Sequence, residues 1–178
     1  MINMILAVSN DFAIGDTTRP DGLPWDKNPE DMKFFKETTK GNVVVMGGNT
    51  FRQLQDIGFE NGLPNRQNWV LTSEIPLMCK MGYTPLSNGN KLVNKPWLCT
   101  SLNLGINIPY EQDVFIIGGK SIYEQLHPYC DRVYLTCINK TFPEADVRIS
   151  INFLSEFDIV DTKTLNEYSH VGVWERKK

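Results

Sequence analysis

Histidine is almost missing from this chain: His127 and His170 are the only two among 178 residues. No cluster of His, Cys and Asp has metal-ligand spacing, which argues against a zinc-type centre, and no metal site is expected. Cys79, Cys99, Cys130 and Cys137 are scattered without a pairing framework or a Cys-x-x-Cys motif. With no secretory leader ahead of them, they read as reduced thiols of a cytoplasmic protein. Long hydrophobic runs are also lacking. The apolar opening Met1 to Val8 is too short to span a membrane and has no basic segment before it. Nor is there an excess of one charge: 18 Lys and Arg stand against 21 Asp and Glu, a net charge of −3. That balance gives no electrostatic reason to expect a nucleic-acid or membrane partner. No serine sits in a nucleophile elbow, and neither a Walker loop nor a Gly-x-Gly-x-x-Gly fingerprint occurs. Hydrolase and metalloenzyme readings are therefore poor, and a reaction whose hard chemistry a cofactor carries fits better.

What is present is an ordinary globular composition, 41% hydrophobic, at a length that suits one domain over residues 1–178. Ile2 to Val8 and Val43 to Met46 are near-continuous apolar runs, expected as strands buried on both faces. Trp69 to Thr72, Pro96 to Thr100, Asp113 to Gly118 and Asp131 to Ile138 are further strands. Met81 to Thr84 is a short one, and Ser87 to Asn90 a turn. Helices are expected from about Pro29 to Thr38, from Phe51 to Asp56, over Ser101 to Ile108 and from Ser121 to Leu126. Asn10 to Gly15, Ile57 to Asn65 and Phe142 to Ile149 read as turns or loops. Phe157 to Thr162 and His170 to Trp174 pair as a terminal hairpin. Strands alternating with short helices, then a strand-rich end, indicate an α/β sheet with antiparallel strands at one edge.

Two of the strands end in paired glycines, Gly47-Gly48 and Gly118-Gly119. Glycine lets a backbone approach a ligand closely, and the following helix start offers free N–H groups to phosphate. Either pair alone can equally be a tight turn. Trp25 to Phe35 combines a helix start with an acid at helical spacing from aromatic rings. Asn28 caps, Pro29 fits the first helical position, and Asp31 lies three and four residues before Phe34 and Phe35. Asp31 is then either a solvated member of the first turn or a carboxylate on an apolar face awaiting a ligand. Arg66 in Leu63-Pro64-Asn65-Arg66 is a solvated surface residue or a clamp on a carboxylate. Thr136, mid-strand, bonds locally or to an acid such as Asp31. His127, before Pro128 at a helix end, is expected at the surface. Glu175 to Lys178 reads as a solubilising tail.

Taken in order, these pieces resemble dihydrofolate reductase. The resemblance is carried by Asn10 to Gly15, Leu23-Pro24-Trp25, Pro29 to Met32 with Phe34-Phe35, and Val45-Met46-Gly47 with Thr50-Phe51. Leu63 to Arg66, Ile116 to Gly119 with Ile122 to Gln125, Tyr134 to Thr136 and the two terminal strands complete it. It spans nearly the whole chain. It implies a mixed, mostly parallel eight-stranded sheet flanked by helices, with an antiparallel C-terminal hairpin. It implies reduction of 7,8-dihydrofolate to tetrahydrofolate by hydride transfer from NADPH. Asp31 would hold the pterin and promote its protonation, with Thr136 as its hydrogen-bond partner and Trp25 holding a nearby water. Ile5, Ala7, Phe35 and Leu54 would line the substrate pocket, and Arg66 would clamp the glutamate tail. Ala7, Ile14, Gly118 and Tyr123 would border the nicotinamide. Gly47, Asn49, Thr50, Gly119, Lys120, Ser121 and Ile122 would border the phosphates, with Thr72 and Ser73 on the adenosine side. A cis peptide is implied between Gly118 and Gly119, and the loop from Gly15 to Trp25 would cover the nicotinamide.

The chain departs from the family pattern in several places, among them a longer loop before Trp25. An extra residue between Trp25 and Asp31 makes Glu30 a rival for the pocket acid, although the Asp31 spacing to Phe34-Phe35 matches. The Ile57 to Gly62 region is longer. Gly48, Asn49 and Ser121 stand where the family commonly carries basic residues, so the 2′-phosphate meets fewer cations. A modest preference for NADPH is expected, with NADH a weaker or comparable donor. A related pterin or pyrimidine reductase, or a binding protein that kept the fold without turnover, are the alternatives. Monomer and homodimer stay open.

Overall fold

The computed structural model describes residues 1–72, 84–85, 97–99 and 112–178. The expected turn Ser87 to Asn90, the expected helix Ser101 to Ile108, Cys79 and the cofactor candidate Ser73 lie outside them. In chain order the strands and helices are β1 (Ile2–Ser9), β2 (Ala13–Gly15), α1 (Pro29–Thr39), β3 (Val43–Gly47), α2 (Gly48–Asp56), β4 (Gln67–Leu71), β5 (Thr84–Pro85) and β6 (Trp97–Cys99). There follow β7 (Val114–Gly118), α3 (Lys120–Leu126), β8 (Arg132–Ile138), β9 (Val147–Arg148), β10 (Phe157–Asn166) and β11 (Ser169–Arg176).

Nine strands form one sheet in the order β10-β11-β8-β1-β7-β3-β4-β6-β5. The pairs from β8 through β1, β7, β3, β4 and β6 to β5 are all parallel, while β8-β11 and β11-β10 are antiparallel. This is the mixed, mostly parallel sheet expected, with one strand beyond the eight. The small β2-β9 pair lies apart from it, joining the stretches read as turn and loop.

Successive residues of the inner strands alternate between two apolar layers, as the two-residue strand period requires. Met4, Leu6, Val8, Val43, Val45 and Trp69 pack on one face with Ile122, Tyr123 and Leu126 of α3. Ile5, Val44, Met46 and Val70 pack on the other with Phe51 of α2, and Phe34, Phe35 and Leu54 lie against them. A sheet covered on both faces explains why β1 and β3 read as unbroken apolar runs.

Three local expectations give way. The helix α2 begins at Gly48 rather than at Phe51. The terminal charged residues are structural: Arg176 donates to Glu156 and to the carbonyls of Cys130 and His127, and Arg132 pairs with Glu175. His127 is half-buried rather than a plain surface residue, stacked on Phe153 at 4.9 Å between ring centroids.

The topology leaves one crevice. From β1 the chain moves outward through β3, β4 and β6, returns as β7 between β1 and β3, then crosses to β8 on the far side of β1. Open α/β sheets bind ligands where the strand order reverses, beyond the carboxyl ends of the strands.

Candidate active site

A cleft of about 1530 Å³ opens at that place. Its walls come from β1, α1, α2, α3 and the ends of β3, β4 and β7, and the loop from Gly15 to Trp25 lies along it. Every candidate site residue within the described part of the chain lines it.

Asp31 and Thr136 form its polar centre. Asn28 makes the first turn of α1 where it does because its side chain accepts from the Asp31 N–H at 3.2 Å, with Pro29 next in the helix. That fixes the direction of the Asp31 side chain. On the sheet, Thr136 in β8 is paired with Ala7 in β1, so the two side chains stand together on the face beneath α1. The Thr136 hydroxyl donates to Asp31 Oδ1 at 2.7 Å. Burial raises the Asp31 pKa above the ordinary carboxylate value, and the Thr136 bond works in the opposite direction. Glu30 is exposed and accepts from Asn166 at 3.0 Å, which holds its pKa below the usual value. Of the two adjacent acids, Asp31 is the one that lines the cleft.

Trp25, buried with Phe142 against its ring, lies beside this centre. Ile5 and Ala7 line the floor, and Phe35 and Leu54 the walls given by α1 and α2. At one mouth Arg66 is braced by the chain. Its Nε donates to Thr39 Oγ1 at 2.7 Å, Nη1 to the Pro64 carbonyl at 2.6 Å and Nη2 to the Lys36 carbonyl at 2.9 Å. A guanidinium has five N–H groups. One on each terminal nitrogen is left without a partner among the described residues, a fork suited to a carboxylate. Phe35 lies 5.9 Å from the guanidinium, and burial draws the Arg66 pKa down.

The other half of the cleft is built from glycine. Gly118-Gly119 is a cis peptide, as the resemblance implies, and Gly118 has φ +122°. A side chain at Gly118 would be strained by that φ and would stand 3.2 Å from the Tyr123 hydroxyl. That hydroxyl donates to the Ile5 carbonyl at 3.0 Å. Burial, then the nearby Asp31 charge, pushes its pKa well above the usual phenol value. The two glycine pairs face each other's helices. A Cβ on Gly47 would come within 3.0 Å of Ile122, one on Gly119 within 3.3 Å of Thr50, and one on Gly48 within 3.2 Å of Thr72. Gly47 caps α2 without a side-chain bond. Ile14, Asn49, Lys120 and Ser121 border the same space. Bare backbone opposite an uncapped helix start suits the phosphates of a dinucleotide. No group of His, Cys, Asp and Glu able to hold a metal occurs among the described residues.

The model of the dihydrofolate reductase family matches residues 1–172. The chain belongs to the dihydrofolate reductase family. It is 34% identical over 152 residues to dihydrofolate reductase of Bacillus subtilis, covering 82% of this chain and 77% of that protein. It is 29% identical over 170 residues to the type 9 dihydrofolate reductase of Escherichia coli, 93% of this chain and 86% of the relative. In three dimensions it is similar to the solved dihydrofolate reductase of Enterococcus faecalis complexed with NADP(H), with TM-score 0.74 and 28% identity. That likeness covers 100% of this chain and 97% of that one.

Several residues that line this cleft or hold its walls carry no motif signal of the dihydrofolate reductase family. Asn166 and Ser169 hold Asn28 from the C-terminal hairpin: Asn166 Nδ2 donates to Asn28 Oδ1 at 2.9 Å, and Asn28 Nδ2 donates to Ser169 Oγ at 3.1 Å. Asp146 anchors the loop over the cleft by accepting from the Thr17 N–H at 2.9 Å and from its hydroxyl. Arg52 lines the cleft from the first half of α2. In the sequence only Asn28 announced itself, as a helix cap.

Proposed function

We propose that the chain, as a single domain over residues 1–178, reduces 7,8-dihydrofolate to 5,6,7,8-tetrahydrofolate with NADPH. The observation that carries this reading is the half-buried Asp31 in the cleft, bonded to Thr136 and with no cationic partner among the described residues. Family membership supports the reaction, and the related Enterococcus faecalis enzyme has been solved with NADP(H).

A carboxylate offers about four acceptor positions, of which Thr136 takes one. The rest can accept the adjacent ring N–H and amino group of a pterin as a charge-assisted pair. A ligand that brings these two donors offsets the desolvation that raises the Asp31 pKa. Asp31 then favours a proton on the pterin indirectly, and Trp25 holds the water that delivers it. When bound, the nicotinamide supplies a hydride equivalent. This chain's own residues hold the reacting rings together and keep bulk water out. Ile5, Ala7, Phe35 and Leu54 give the pterin an apolar slot. Gly118 and Tyr123 leave the nicotinamide room beside Ala7 and Ile14. Gly47, Asn49, Thr50, Gly119, Lys120, Ser121 and Ile122 border the phosphates.

Arg66 favours a folate over a pterin without a glutamate tail, because its fork matches the α-carboxylate. The test is dihydrofolate-dependent loss of NADPH absorbance by the purified protein. Turnover on dihydrofolate is expected, with Arg66→Gln raising KM for dihydrofolate and not for a tail-less dihydropterin. Reduction of the tail-less substrate alone would favour a related pterin reductase, and no turnover on either would sink the reading. We place the protein in the cytoplasm. Among the described residues no helix is long and apolar enough to cross a membrane.

A further inference from the structure

We propose that Lys36 and Lys40 bind the glutamates that follow the first in the tail of a poly-γ-glutamyl folate, so that the protein takes long-tailed folates in preference to the monoglutamate. This rests on the reductase reading and deepens it by naming the substrate class.

The mouth of the cleft at Arg66 is walled by the last turns of α1 and by residues 63–66. Arg66 Nε and Nη2 donate to Thr39 Oγ1 and to the Lys36 carbonyl, which ties the guanidinium to the end of that helix. Lys36 lies in the last turn of α1, and Lys40 caps its C-terminus. Both are exposed, and both line the cleft. Four residues apart, they stand on one side of the helix, about one turn from each other. A carboxylate held by Arg66 therefore lies beside a stretch of α1 that carries two ammonium groups.

The charge on this mouth has one sign. The carboxylates that line the cleft are Asp16 and Asp21 in the covering loop, Asp31 at the centre and Glu124 on α3. None belongs to the end of α1 or to residues 63–66. Lys33, a turn earlier, pairs with Glu37 at 3.9 Å. Lys36 and Lys40 have no side-chain partner among the described residues. The dipole of α1 favours cations at its C-terminus, but like charges a turn apart repel, and Arg66 adds a third. An anionic chain laid along this side of the helix relieves that repulsion. A folate monoglutamate brings two carboxylates, and each further γ-linked glutamate adds one more at a regular interval. Two exposed pairs of this kind correspond to about a threefold to tenfold gain in affinity at low salt, which fades as ionic strength rises.

The test compares dihydropteroyl monoglutamate with dihydropteroyl pentaglutamate at low salt. Dissociation constants come from quenching of tryptophan fluorescence, and KM and kcat from NADPH oxidation. The unsubstituted protein should bind the pentaglutamate about threefold to tenfold tighter, with the difference appearing in KM and not in kcat. In a double variant carrying Lys36→Gln and Lys40→Gln, that ratio should fall to within about twofold of unity. Lys33→Gln should lower it less, because Lys33 already has a carboxylate partner. Arg66→Gln should weaken both ligands alike, since both carry the carboxylate that it clamps. A ratio near unity in the unsubstituted protein, a ratio that survives the double variant, or a larger fall from Lys33→Gln would overturn the assignment. Turnover of dihydrofolate with no difference between the two tail lengths would overturn this inference alone. Neither turnover nor binding of either ligand would overturn the reductase reading as well.

Discussion

At position 31 the needs of the site and of the fold diverge. Asp31 lines the cleft, where the proposed role has it meet a ligand's N–H groups, and burial raises its pKa. Folded Asp31 therefore holds its proton more tightly than the same residue in the unfolded chain. The stability it contributes is full below the unfolded carboxylate pKa and is lost as pH rises through the folded value. Near pH 7 the ionised carboxylate burdens the fold. Asp31→Asn keeps an acceptor for the Thr136 hydroxyl and removes that burden. Its melting temperature should exceed that of the unsubstituted protein at neutral pH, and the gain should disappear in acid. Dihydrofolate turnover at neutral pH should fall by about a hundredfold or more, the usual scale for a lost acid–base group. Melting curves across pH and steady-state rates check both parts, and unchanged turnover would refute the role given to Asp31. Thr136→Val removes the one bond that opposes burial at Asp31. The Asp31 pKa should rise further, moving the corresponding limb of the kcat/KM pH profile upward. Loss of a buried bond to a charged group should cost about 1–3 kcal/mol in denaturant unfolding.

At the scale of elements, the start of α1 shows how local and distant information combine. Asn28 and Pro29 mark the helix start in the sequence alone, through capping and fixed backbone geometry. The hairpin strands β10 and β11 then lock that start, since Asn166 and Ser169 both bond Asn28. Asn28→Ala removes the cap and strands both partners. It should cost about 1–2 kcal/mol, lowering the melting temperature by roughly 2–8 °C for a chain of this size. It should also lower kcat/KM for dihydrofolate, because the first turn of α1 aims Asp31; melting and kinetics together test the link. Other elements were poorly legible. The helix α2 starts at Gly48 because the chain turns at Gly47 against Ile122, a contact that glycine hardly signals. The β2-β9 pair joins residues 13–15 to 147–148, and strands so short leave no periodicity to read.

At the scale of the whole molecule, the two apolar layers share one sheet, and the cleft lies across its centre. Binding in the cleft should therefore stabilise the fold as a unit. On the proposal that residues 1–178 are a single domain, the chain should unfold in one transition, with circular dichroism and tryptophan fluorescence coincident. NADPH at about a hundred times its Kd should stabilise by about 2.7 kcal/mol, moving both signals upward together. Separate transitions, or a shift in one signal only, would count against a single cooperative unit.

Local rules made the inner strands and their alternating faces, the capped start of α1 and the paired glycines legible in the sequence by itself. Each depends on residues only a few positions apart. The ordered motifs went further and pointed to the family and to a set of residues that line the cleft. The tertiary structure alone decided what depends on distant partners. Asp31 faces the cleft while Glu30 faces outward, because Thr136 lies 105 positions along the chain from Asp31 and Asn166 lies 136 from Glu30. It also brought Arg52 to the cleft, since the side of α2 that borders a cavity is set by what packs against its other side.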